Sequence, residues 1–81
     1  MSFNKWKTVA MRKLIELSEI YKNDPKRHDT IEVLINKLRY LRSRDLNSFL
    51  YLLHNVAKDI PEVKDILPRQ DEVEKMMERG E

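Results

Sequence analysis

Apolar residues recur from the start of the chain at steps of three and four: Phe3, Trp6, Ala10, Leu14, Leu17 and Tyr21. At about 100° per residue they fall within one sector of a helix, with Lys5, Arg12, Glu16 and Glu19 on the opposite side. Ser2 is suited to cap this helix. Asn23-Asp24-Pro25 is suited to end it after Lys22, because proline disfavours helical geometry in the residue before it. Val9 and Ile20 widen the apolar arc on one flank, Met11 and Ile15 on the other, so two packing neighbours are expected. Arg12 and Glu16 have the spacing of an i,i+4 ion pair.

A second stripe comprises Ile31, Leu34, Ile35, Leu38 and Leu41. Its helix is expected to open at Asp29, with Glu32 three residues on in capping-box spacing, and to end near residues 42–44. A third helix follows from Asp45, presenting Leu46, Phe49, Leu50, Leu53, Val56, Ala57 and Ile60. Pro61 closes it or begins a short helical turn through Val63, Ile66 and Leu67. Pro68 then separates a last segment, residues 69–79, whose Val73, Met76 and Met77 make a thin apolar edge, and Gly80 suits its end. The expected fold is all-α: a compact bundle of three main helices, a short fourth element and an acidic C-terminal helix. Residues 1–67 read as the bundle domain, and residues 68–81 as an amphipathic tail helix, docked or mobile.

Length and composition narrow this picture. At 81 residues there is room for a single core. A single glycine and three prolines among many Leu, Ile, Lys, Arg and Glu residues suit helices rather than sheets. The absence of cysteine removes disulfides and thiolate metal sites and fits a reducing cytoplasm. The N-terminal residues carry lysines but no apolar segment followed by a cleavage site, and the apolar run at residues 49–53 is far too short to span a bilayer. A cytoplasmic protein without membrane contact is therefore expected.

Charge is unevenly distributed. Residues 1–58 hold twelve Lys/Arg against six Asp/Glu, a net +6, and residues 59–81 hold four against eight, a net −4. A basic body with an acidic tail suits either internal compensation or a polyanionic partner.

No enzyme motif is visible. His28 and His54 lie in different segments without carboxylates at metal-ligand spacing, and there is neither a cysteine nucleophile nor a glycine-rich phosphate loop. No catalytic residue, metal site or cofactor is expected. A helix-turn-helix reading fails on its third helix, whose cation Lys58 stands at the far end, away from any phosphates to be held.

Cations do cluster in the segment KLRYLRSR, and Lys26, Arg27, Lys37, Arg39, Arg42 and Arg44 are the candidate nucleic-acid contacts. On a continuous helix advancing about 100° per residue, Arg39 and Arg42 border one edge of the leucine stripe, and Lys37 and Arg44 the other. Val33 and Tyr40 then project outward beside Lys37 and Arg44. An aromatic–apolar pair framed by cations suits a protein interface, and Tyr40 also suits base stacking. The same pair could instead be covered by the tail helix. Val33, Lys37, Tyr40 and Arg44 are thus the candidate partner-binding residues, with Val73, Met76 and Met77 as a second docking edge. Gln70, Val73, Met76 and Met77 also have the spacing of sliding-clamp-binding peptides, with methionines where those peptides usually carry aromatics.

The opening MSFNKWKTVAMRKLIELSEIYK, the basic KLRYLRSR, the lack of cysteine and the acidic end DEVEKMMERGE together resemble the small helical accessory subunits of archaeal family-B DNA polymerases. The resemblance implies a non-catalytic subunit that binds the polymerase in DNA replication and aids its hold on DNA. The expected function is accordingly an adaptor for a larger protein of nucleic-acid machinery. A standalone, weakly specific DNA- or RNA-binding protein, or a self-associating regulatory or viral bundle forming a homodimer, is the alternative.

Overall fold

The computed structural model describes residues 2–79, and its described residues are all-α. Four helices, α1 (Phe3–Ile20), α2 (Pro25–Arg39), α3 (Leu46–Val56) and α4 (Gln70–Arg79), are joined by two 3₁₀ segments, Ser43–Asp45 and Pro61–Ile66. The helix stop expected at Gly80 lies outside the described residues. No helix among those described is long and apolar enough to cross a membrane.

Helix α1 starts as its sequence dictates: the Ser2 hydroxyl accepts the Lys5 backbone N–H at 3.1 Å, satisfying one of the donors a helix start leaves unpaired. Phe3, Trp6, Ala10, Leu14 and Leu17 are buried, and Tyr21 is half-buried at the cap. The helix packs on α2 and on the Pro61–Ile66 segment. Its flanks stay uncovered, with Val9, Ile15 and Ile20 all at least half exposed, so the core takes only the central stripe. The Arg12–Glu16 pair is absent from the ion pairs of the described residues.

The start of α2 differs from expectation by four residues. Asp24 caps it, accepting the Arg27 N–H, and Pro25 occupies the first turn. Proline has no N–H to lose there and its fixed φ already suits a helix, so the residue that stops α1 also starts α2. Glu32 is released from capping and instead accepts the Ser18 hydroxyl at 3.0 Å. Arg27 bonds Asp24 at 2.7 Å and Asp59 at 2.8 Å, tying the start of α2 to the segment after α3. The Tyr21 hydroxyl donates to the Glu62 carboxylate, 2.8 and 2.9 Å from its two oxygens. That bond holds the Tyr21 hydroxyl above the ordinary phenol range.

The guanidinium of Arg27 holds the Asp24 carboxyl below its usual value of 3.8. A carboxyl whose pKa is depressed by folding contributes stability above its unfolded pKa and loses it as pH falls through the folded one. Asp24→Ala should therefore lower the melting temperature at about pH 7, with the gap from wild type narrowing as pH falls below the usual carboxylate range. Circular-dichroism melts at neutral and acid pH check this, and a gap undiminished in acid contradicts it.

Helix α2 ends at Arg39, several residues early. Leu41 turns back through a 3.2 Å bond from its N–H to the Leu38 carbonyl, and Arg42 is extended (φ −104°, ψ 152°). The Leu41 carbonyl, just beyond the helix end, accepts a bond from the Lys7 ammonium of α1 at 3.0 Å, a cation placed where the helix dipole favours one.

Leu46, Phe49, Leu50 and Leu53 of α3 complete the core with Ile60, Val63 and Ile66. Trp6 joins these layers: its indole N–H donates to the Ile66 carbonyl at 2.7 Å, and its ring meets Phe49 edge-on at 6.2 Å. Helix α4 rests on α3 and the Ser43–Asp45 turn, burying Val73 and Met76 in the same core that holds Trp6 and Leu14.

Candidate functional site

The early end of α2 redistributes the cations of KLRYLRSR. On a continuous helix Arg44 would stand with Lys37. In the structure Arg42 and Arg44 belong to the extended stretch and 3₁₀ turn beyond the helix, and they join Arg39 and the N-terminal half of α1. Two adjoining hollows result, sharing Asn4 and Lys7. The larger, about 580 Å³, draws its charge from Lys7, Arg12 and Arg39 and its apolar wall from Met11 and Ile15. The smaller, about 430 Å³, is edged by Lys7, Arg42 and Arg44 beside Leu41 and Met77.

Among the described residues, no carboxylate lines either hollow. Among the described residues, none of these five cations forms an ion pair. Lys7 is the most constrained, since its ammonium bonds the Leu41 carbonyl and lies 5.7 Å from the Phe3 ring centre. Charges of one sign gathered on one face raise the local potential more than the same charges interspersed with acids.

Lys7 and Arg12 are the members sequence reasoning missed. Their signal lay in the Met11–Ile15 flank of α1, an apolar edge bordered by two cations at helical spacing. Lys26 and Arg27, in contrast, do not join the group. Arg27 stands about 18 Å from Arg39 along α2 and is committed to Asp24 and Asp59, while Lys26 is exposed beside it.

Val33, Lys37 and Tyr40 share the other side of α2. Tyr40 is 78 % exposed and Val33 50 %, so α4 does not cover them. Tyr40 and Lys37 edge a hollow of about 270 Å³ between α2 and α3, with Leu41, Leu52 and Asp45. Arg44 lies apart from it, in the cationic group. The expected docking edge of the tail faces inward: Val73 and Met76 are buried and Met77 is half-buried. A clamp-binding peptide needs those side chains free, and here they serve the core.

The two histidines lie on different helices, His28 on α2 and His54 on α3. His28 Nε2 lies 3.3 Å from Glu32, whose carboxylate also accepts the Ser18 hydroxyl, so the imidazole itself does not reach that hydroxyl. His54 is exposed on α3. No group of three or more His, Cys, Asp or Glu among the described residues could hold a metal ion.

The chain matches no protein-family model, no curated protein and no solved structure.

Proposed function

We propose that the protein is a non-catalytic helical adaptor of nucleic-acid machinery, with one face for phosphates and another for a larger protein. The observation that carries this reading is the gathering of Lys7, Arg12, Arg39, Arg42 and Arg44 around two joined hollows that no carboxylate among the described residues lines. Solubilising charges are ordinarily interspersed by sign, whereas a concave face of one sign suits a polyanion. The face with Val33, Lys37 and Tyr40 offers the partly apolar, aromatic composition that protein interfaces favour. The resemblance to archaeal polymerase accessory subunits suggests a DNA polymerase as the larger protein. The adaptor then contributes phosphate contacts to the complex and leaves the chemistry to its partner.

Fluorescence anisotropy of labelled single-stranded and duplex oligonucleotides tests the phosphate face. Submillimolar binding that weakens steeply with added salt is expected. Flat titrations for both at low salt overturn the reading. For the second face, Tyr40→Ala and Lys37→Glu are each expected to reduce co-purification of the larger protein from the source cells. Tyr40→Ala should leave oligonucleotide affinity within about twofold, because it removes no phosphate-binding charge. Unchanged co-purification in both variants places the protein-docking surface elsewhere.

A further inference from the structure

We propose that the cationic face selects single-stranded nucleic acid over duplex, an inference that rests on the phosphate-binding reading above and narrows its ligand. The larger hollow is more than a charged surface, because Met11 and the 53 % exposed Ile15 stand among its cations. A duplex hides its base faces in the stack and presents sugar and phosphate outward. Lying across this face, it reaches the cations but leaves Met11 and Ile15 without an apolar partner. A single strand carries unstacked bases on the same chain as its phosphates. It can set a base over Met11 and Ile15 while neighbouring phosphates meet Lys7, Arg12 and Arg39.

The kind of cation points the same way. Four of the five are arginine, whose planar guanidinium both grips phosphate in bidentate fashion and stacks on a base, whereas an ammonium offers only a point charge. Shape agrees as well. The larger hollow is lined by α1 residues together with Arg39 at the end of α2, and one extended strand is slender enough to follow it. A duplex is comparable in girth to the whole protein, which measures 39 × 20 × 16 Å, and can only rest on the outside. Asn4, common to both hollows, supplies an amide that can pair with a base edge as the strand passes from one to the other.

The test is an anisotropy titration of the full chain with a labelled mixed-sequence single strand and with the same strand annealed to its complement, at matched salt. Single-strand affinity several-fold above duplex affinity is expected, since a base seated on Met11 and Ile15 adds a contact that the duplex cannot make. Ile15→Ser, at an exposed position, should cut single-strand affinity several-fold and leave duplex affinity unchanged. Equal affinities, tighter duplex binding or an Ile15→Ser variant that binds the single strand as wild type does would overturn the preference while leaving the phosphate face intact. No binding of either oligonucleotide removes both readings. A doubled mass in light scattering, lost in Ile15→Ser and with no oligonucleotide bound, identifies the face as a contact between two copies and also overturns the proposal.

Discussion

Trp6→Ala is expected to lower the melting temperature by roughly 15 °C or more. Removing a buried tryptophan costs about 3–5 kcal/mol, and each kcal/mol moves the midpoint of a domain this small by about 4–8 °C. Trp6 is 3 % exposed, and more than hydrophobic volume is lost with it. Its N–H is bonded to the Ile66 carbonyl in the interior, and a buried acceptor left without a donor costs about 1–3 kcal/mol. Its ring also fixes the edge of Phe49, so the substitution loosens α1, α3 and the Pro61–Ile66 segment together. Trp6→Phe separates the contributions by keeping most of the volume and deleting the donor, so its melting temperature should fall between wild type and Trp6→Ala. Thermal melts followed by far-ultraviolet circular dichroism check both. A Trp6→Ala midpoint within about 5 °C of wild type contradicts the central role assigned to this residue.

That role was half legible in the sequence. Periodicity placed Trp6 on the buried face of α1, and the three- and four-residue spacing reports buried faces well wherever a helix is continuous. It cannot report which neighbour covers a face: the Ile66 carbonyl lies sixty positions away, and nothing local announces the bond. The same limit explains the tail. Val73 and Met76 were visible as an apolar edge, but their burial against the bundle follows from where the Pro61–Ile66 segment and the residues after it carry the chain. Val9, Ile15 and Ile20 mark the converse, apolar residues on a helix flank with no neighbour to cover them.

Helix boundaries were less legible, and they mattered most for the candidate site. Pro25 acts on both sides of itself, and only its effect on the preceding helix was apparent. At the other end of α2 no glycine or proline marks the stop after Arg39. The stop is accompanied by a tertiary bond, from Lys7 to the Leu41 carbonyl. A wheel drawn through residues 42–44 therefore assigned Arg42 and Arg44 to opposite borders of a helix that has already ended. Three of the five site cations, Arg39, Arg42 and Arg44, were legible as residues, but their association with Lys7 and Arg12 is a property of the packed chain.

Reversing two of those charges, Arg39→Glu with Arg42→Glu, is the substitution expected to weaken oligonucleotide binding most. Five phosphate contacts on a single strand give a slope of log affinity against log salt near about −3.5, because each contact contributes about −0.7. Removing two leaves a slope near about −2, and the two carboxylates also repel the phosphates that remain. At low salt, where counterion release is strongest, affinity should fall by at least about a hundredfold, and the loss should narrow as salt rises. Both positions are exposed, beyond or beside the buried stripe, and neither pairs with a described acid, so the fold has little to lose. A thermal melt close to wild type confirms that the loss belongs to the surface. Lys26→Glu is the control: it reverses one charge at the far end of α2, about 20 Å from Arg39, and should change affinity by no more than about threefold through long-range field alone. If Lys26→Glu weakened binding as much as the double reversal, net charge rather than the grouped face would govern the interaction. If the double reversal left the salt slope unchanged, phosphates would be held by other residues, and Lys7, Arg12, Arg39, Arg42 and Arg44 would not form a site.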